Sequence, residues 1–143
     1  MAPGLRLYST IMIELYSPIA RPKLFSIVEI TILRGVKTLK FLTKIFKIFV
    51  DKVRKDRPCT DIYYVPMKPS PSRWNLWPKY EAGNNMIRKY CESNNVHYLY
   101  TIPQKMIKPV GKPNREIFIK DLLHMNAEGY NIWATEVNKA LKK

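Results

Sequence analysis

The sequence predicts an α/β fold with a mostly parallel sheet, and three observations lead to that prediction. Residues 36–55 carry apolar side chains at three- and four-residue spacing, which predicts an amphipathic helix. After Pro58, the short apolar run 62–65 predicts a buried strand. A helical pattern at 78–92 is then followed by a second strand pattern at 96–101. Helix, short loop and apolar strand in this order are typical of a parallel sheet covered by helices.

The remaining segments are assigned from their composition. Residues 5–13 and 24–33 are rich in β-branched and apolar side chains and predict two further strands. The proline-rich segments 66–78 and 102–116 predict loops, because proline removes the backbone N–H that regular structure uses. The first of these loops follows the carboxyl end of a predicted strand, which is where α/β sheets bind their ligands.

The last predicted element is a helix over residues 127–141, with Asn126 as its N-cap. Its apolar side chains repeat every three or four residues and should face the core. These positions are Tyr130, Trp133, Val137 and Leu141.

Charge and composition leave two interpretations of the helix at 36–55. The chain has 143 residues, the size of one domain, and a formal net charge of +14 that is spread over its length. The lysines of the helix are expected to lie in water while its apolar stripe covers a sheet. Alternatively, the helix makes the chain a non-catalytic basic module that binds anionic membrane or nucleic acid.

Several classes of protein are not indicated by the sequence. There is no apolar run long enough to predict a transmembrane segment, and no signal-peptide pattern, so a cytoplasmic location is expected for the chain as given. Cys59 and Cys91 match no metal-binding or redox spacing and are expected to be free thiols. No cofactor, metal or specific nucleic-acid partner is predicted.

The segment 118–133 holds the strongest chemical pattern, a carboxylate three residues before a histidine, at Asp121 and His124. The carboxylate can accept a hydrogen bond from one imidazole nitrogen and so fix the tautomer. The other nitrogen can then take a proton from a nucleophile. Taken alone, Asp-x-x-His spacing is a weak signal, since the same pair also forms a simple hydrogen bond at a helix entry.

Over a longer stretch, the chain resembles the C-terminal part of the SGNH (GDSL-type) serine hydrolases. The run from Asp121 to Trp133 is similar to their last block, in which Asp and His complete a Ser-His-Asp triad. The Lys-Pro-Ser-x-x-Arg pattern at 68–73 is similar to a strand and loop of one bacterial branch. The resemblance implies a three-layer α/β/α sandwich (flavodoxin-like SGNH fold), with Asp121 as orienting carboxylate and His124 as general base. The substrate would be a small-molecule or carbohydrate-linked acyl ester.

The chain departs from that family in its N-terminal half. The Gly-Asp-Ser block that carries the nucleophile is absent, and so are the glycine and Gly-x-Asn blocks of the oxyanion hole. The nucleophile is therefore unknown, and Ser70 and Ser72 are interpreted as residues that shape the proline-rich loop. We expect an N-terminally truncated relative with weak or no activity. Residues 36–143 would be the C-terminal part of the hydrolase-like domain.

Residues 1–35 are irregular and give a separate hypothesis of a shifted reading frame. Leu5 to Tyr8 resembles the strand that precedes the family's third block, where a Gly-x-Asn-Asp pattern should follow. The chain instead has Ile11, Met12 and Ile13. Codons for Asp-Asn-Asp shifted by one base give Ile-Met-Ile, which suggests a frameshift near this point.

Overall fold

A computed structural model of the protein describes residues 11–15, 23–27 and 39–142. Four strands form one sheet in the order β1-β2-β3-β4; β1 runs antiparallel to β2, while β2, β3 and β4 are mutually parallel. The strands are β1 (Ile11–Leu15), β2 (Lys23–Ile27), β3 (Asp61–Tyr64) and β4 (His97–Tyr98). The helices are α1 (Leu39–Asp56), α2 (Trp77–Ser93), α3 (Thr101–Lys105) and α4 (Ala127–Leu141), with 3₁₀ segments at Pro71–Leu76 and Arg115–Ile117.

Helices cover both faces of the sheet. Ile62 and Tyr64 of β3 belong to a core shared with α1 and α2. Val65, the next residue along the chain, belongs to a second core with residues of α3 and α4. Because successive side chains of a strand point to opposite faces, the two cores lie on opposite sides of the sheet. The predicted three-layer α/β/α sandwich with a mostly parallel sheet is confirmed.

Helix α1 covers the sheet with the apolar stripe that its sequence predicts. Leu42, Phe46 and Val50 are almost completely buried, and the ring of Phe46 meets that of Tyr64 edge-on at 4.9 Å between centroids. The opposite side of the helix faces solvent, where Ile48 is 56% exposed. This arrangement matches the sheet-covering interpretation of the helix.

Among the helices of the described residues, none combines the length and the apolar character that a membrane span needs.

Two loop predictions were partly wrong. The segment 66–78 contains the 3₁₀ turns of Pro71–Leu76, and α2 already begins at Trp77. The loop predicted at 102–116 contains most of α3, which begins at Thr101, and the strand predicted at 96–101 is limited to His97–Tyr98. Pro103 lies in the first turn of α3. N–H groups of a first turn have no acceptor within the helix, so a proline there breaks no hydrogen bond.

The N-terminal strands are seen only in part. Strand β1 overlaps the end of the predicted run 5–13 and extends beyond it to Leu15. Strand β2 begins at Lys23 and overlaps the start of the predicted run 24–33. Residues 1–10, 16–22 and 28–38 lie outside the described residues, so the predictions that concern them stay predictions.

Helix α4 has the bounds that the sequence predicts, and the Asn126 side chain accepts a hydrogen bond from the N–H of Gly129 at 3.1 Å. Its predicted core face was wrong in one respect. Tyr130 is 54% exposed, while Glu136 is 7% exposed. Glu136 faces inward because Thr101 and Lys105 of α3 supply hydrogen bonds to its carboxylate.

Candidate active site

A short hairpin before α4 determines which side chains face outward. The N–H of Asn126 donates to the carbonyl of Ile117 at 3.0 Å, and the N–H of Ile119 donates to the carbonyl of His124 at 2.9 Å. Between these bonds, Phe118 and Met125 pair across the hairpin, and both are buried. Since side chains alternate along a strand, the neighbouring pair Ile119 and His124 lies on the outer face.

The turn of this hairpin brings Asp121 and His124 into direct contact. Asp121 Oδ1 accepts the backbone N–H groups of Leu123 and His124, each at 2.9 Å. Asp121 Oδ2 lies 2.5 Å from Nδ1 of His124. Leu122, between them, adopts a left-handed backbone with φ of 56°, which costs a non-glycine residue roughly 1–2 kcal/mol. The turn's hydrogen bonds offset that cost.

The electrostatics of the pair set the tautomer of the imidazole. The hydrogen bond from His124, together with the two backbone N–H groups, lowers the pKa of Asp121 from 3.8 to about 2. The carboxylate is therefore charged near neutral pH and can only accept hydrogen bonds. The proton of a neutral His124 must then sit on Nδ1, which leaves the lone pair on Nε2. Both side chains are substantially exposed, so Nε2 is open to an approaching group.

The proline-rich loop lies beside this turn. The backbone N–H of Ser72 donates to the carbonyl of Leu122 at 3.0 Å. Ser70 is buried and Ser72 is exposed. Within residues 39–142, no serine hydroxyl forms a hydrogen bond with His124. The structure therefore brings Asp121 and His124 together and places the backbone of Ser72 next to them. Neither Ser70 nor Ser72 has its hydroxyl hydrogen-bonded to His124, as a nucleophile would.

The described residues form neither a metal-binding cluster nor a disulfide bond. In residues 39–142 and the two described strands, no three His, Cys, Asp or Glu side chains are close enough to hold a metal ion. Cys59 is exposed and Cys91 is buried, and both are free thiols.

One buried polar contact of the proline-rich loop is not evident from the sequence. Asn84, in the middle of α2, is 4% exposed and hydrogen-bonds to the backbone of Met67 at the start of the proline-rich loop. The only sequence signal is an amide at a position of α2 that faces the core, where polar side chains need a partner.

Solved structures with a similar fold are known. The esterase domain of the ORF1 protein from the zebrafish ZfL2-1 retrotransposon is similar with a TM-score of 0.64 and 18% identity. A GDSL-like lipase from Bacteroides thetaiotaomicron gives a TM-score of 0.60 and 18% identity. A Bacteroides fragilis protein named an acylhydrolase gives 0.62 and 17% identity. The chain has the SGNH (GDSL-like) hydrolase fold.

The SGNH fold is matched over part of each protein. In all three comparisons, 76% of this chain is covered. The chain spans 61% of the zebrafish domain and 54% and 53% of the two Bacteroides proteins. No family profile matches the chain. No curated protein sequence matches it either. At these identities the SGNH likeness concerns the fold, and the chemistry has to be argued from the side chains.

Proposed function

We propose that Asp121 and His124 are the orienting carboxylate and the general base of an SGNH-type serine ester hydrolase site. The observation that carries this proposal is the 2.5 Å contact between Asp121 Oδ2 and His124 Nδ1, with Nε2 left open. The SGNH fold of the chain supports it, because the proteins of similar structure are described as an esterase, a lipase and an acylhydrolase.

In such a site, Nε2 of His124 takes the proton of a serine hydroxyl as the oxygen attacks the ester carbonyl. The imidazolium then returns the proton to the departing alcohol. Asp121 stabilises the imidazolium and keeps the ring in the productive orientation. The substrate class we propose is an acyl or acetyl ester of a small molecule or a carbohydrate.

We also propose that this chain has little or no hydrolase activity by itself. Its sequence has no Gly-Asp-Ser block for the nucleophile and no Gly-x-Asn block for the oxyanion hole. Without a nucleophile and oxyanion donors, a serine hydrolase loses most of its rate acceleration. The Asp121–His124 pair would then be the surviving part of an incomplete triad.

The pair is tested by nitrogen-15 NMR of the imidazoles, since the chain has two histidines. His97 is exposed and stacks on Tyr63, so it serves as the internal reference. We expect neutral His124 to show the Nδ1–H tautomer. Asp121→Asn should change the signals of His124 and leave those of His97 unchanged. A His124 spectrum that does not respond to Asp121→Asn would contradict the pairing.

The activity claim is tested with a chromogenic short-chain ester. We expect hydrolysis by the wild-type chain to be close to that of buffer, with no saturation. His124→Ala and the matched control His97→Ala should give the same rate as wild type. Saturable turnover that disappears in His124→Ala and persists in His97→Ala would show that the chain is an active hydrolase.

The domain division is a further part of the proposal. Residues 36–143 would form the C-terminal part of the SGNH-like domain, and residues 1–35 would be an irregular N-terminal segment with a shift of reading frame near residues 9–35. The test is to sequence the source DNA across residues 1–40 and several hundred bases upstream. Alternative frames that contain Gly-Asp-Ser and Gly-x-Asn-Asp blocks would support this proposal, and their absence from all three frames would refute it.

A further inference from the structure

Asn84 holds the backbone at the point where the chain leaves the sheet. Its side-chain oxygen accepts the N–H of Met67 at 2.9 Å, and its side-chain nitrogen donates to the carbonyl of Met67 at 3.0 Å. The amide thus pairs with Met67 as a neighbouring strand would. Both partners are buried, so no water replaces these bonds if the side chain is removed.

Packing against α2 restricts Met67 further. A Cβ atom placed on Gly83, the residue before Asn84, would lie 3.1 Å from Cε of Met67. Helix α2 therefore contacts the side chain of Met67 through Gly83 and its backbone through Asn84. The following residues up to Ser70 are buried as well, which leaves the loop little freedom to move relative to α2.

Five residues beyond Met67, the loop reaches the turn that contains the Asp121–His124 pair. The N–H of Ser72 donates to the carbonyl of Leu122, the residue with the left-handed backbone. The other hydrogen bonds of residues 120–124 come from within the hairpin. In the part of the chain that the structure describes, Ser72 thus supplies the hydrogen bond that reaches this turn from outside.

We propose that Asn84 is a positioning residue for the Asp121–His124 pair and acts through the loop 67–72 and the Ser72–Leu122 hydrogen bond. The inference rests on the proposed function of that pair. Removal of the amide releases Met67, the loop moves relative to α2, and the hydrogen bond from Ser72 to Leu122 weakens. The turn then opens more often, and the imidazole of His124 loses its fixed partner.

The experiment compares Asn84→Ala, Asn84→Asp and the control Asn94→Ala in the full chain. Asn94 also donates an amide hydrogen bond to a backbone carbonyl, that of Tyr90 at 2.8 Å, but at the far end of α2. The readout is the solvent-exchange rate of the Nδ1 proton of His124, measured well below the unfolding temperature of each variant, with His97 as reference.

We expect Asn84→Ala to raise that exchange rate roughly tenfold, the size of effect typical of one lost hydrogen bond. Asn84→Asp keeps the acceptor for the Met67 N–H but turns an oxygen towards the Met67 carbonyl in place of the donor, so it should also raise the rate. It also provides the test if the alanine variant does not fold. Asn94→Ala should leave the rate unchanged.

The positioning role is wrong if Asn84→Ala and Asn84→Asp lower the unfolding temperature and leave the His124 proton at its wild-type exchange rate. It is also wrong if Asn94→Ala changes His124 as much as Asn84→Ala does. Failure of the proposed function looks different. In that case the His124 signals of the Asp121→Asn variant are the same as those of the wild-type chain.

Discussion

Glu136 of α4 and Lys105 of α3 form an ion pair, with 2.5 Å between Nζ and Oε1. The same carboxylate accepts a hydrogen bond from Thr101 Oγ1 at 2.7 Å and from Lys139 Nζ at 3.1 Å. Glu136 thereby joins the two helices that cover the second face of the sheet. A side chain that is 7% exposed is stabilised as a charge because every partner is a donor.

The first prediction concerns stability in acid. The hydrogen bond from Lys105, followed by that from Thr101, lowers the pKa of Glu136 from 4.5 to about 2. A folded-state pKa below the unfolded one gives stability that is present above about pH 4.5 and is lost as the pH falls towards 2. Glu136→Gln should flatten this decline in urea midpoints measured across that range. The pKa of Asp121 is lowered in the same direction, so this carboxylate should account for a further share of the stability lost in acid.

The control for this prediction is the double variant Glu136→Gln/Asp121→Asn, which should be flatter than either single variant. Lys105→Met should lower stability at neutral pH in the presence of Glu136 and have less effect in its absence. A midpoint profile with an unchanged slope in Glu136→Gln would contradict the assigned ion pair.

A second prediction concerns the two thiols. Cys59 is exposed, whereas Cys91 is 1% exposed and burial raises its pKa to about 12. We expect one thiol to react rapidly with a disulfide reagent and the other only when the protein unfolds. Cys59→Ser should abolish the fast phase. Two fast thiols in the folded protein would show that α2 does not pack as described.

The packing of Gly129 at the first turn of α4 leads to a third prediction. A Cβ atom at this position would lie 2.5 Å from the carbonyl oxygen of Ile117 and 2.8 Å from Cβ of Met125. Gly129→Ala should therefore destabilise the protein by about 2 kcal/mol, as overpacking does. Gly111→Ala is the comparison: its φ is 75° but its surroundings are open, so about 1 kcal/mol is expected. Urea unfolding of both variants measures the difference.

The fourth prediction tests which face of α1 is inside. Phe46 is 1% exposed and its ring contacts those of Tyr64 and Tyr90. Phe46→Ala should cost about 3–5 kcal/mol of unfolding free energy. Ile48→Ala, at a position 56% exposed on the same helix, should change stability by less than about 1 kcal/mol. Equal effects of the two variants would overturn the orientation of the helix.

The sequence predicted those elements whose determinants are local. Helix α4 has its predicted bounds because Asn126 caps it and its apolar residues recur at helical spacing. Helix α3 was missed because Pro103 suggests a loop, although proline is tolerated in a first turn. The burial of Glu136 was not predicted, since the partners that make it favourable lie 31 and 35 residues away in the sequence. Such partners cannot be read from local spacing.

The same distinction applies to the site. The contact between Asp121 and His124 follows from three-residue spacing within one turn, and the sequence suggested it. The contact between Ser72 and Leu122 and the role of Asn84 depend on how the loop packs between the sheet, α2 and the hairpin. The resemblance to the SGNH hydrolases supplied the fold class. Periodicity alone would have given only an α/β protein.

The hairpin register has an evolutionary consequence. Phe118 and Met125 point inward, and among the described residues the hydrogen bonds of Asp121 come from neighbours within three residues, so the proposed acid–base pair is encoded by one short contiguous segment. Residues outside the segment reach its turn through the hydrogen bond from Ser72 to Leu122, so substitutions that leave this bond intact should leave the segment's own bonds unchanged. If the pair is the half-site that we propose, it can be inherited as one unit, independently of the segment that supplies a nucleophile.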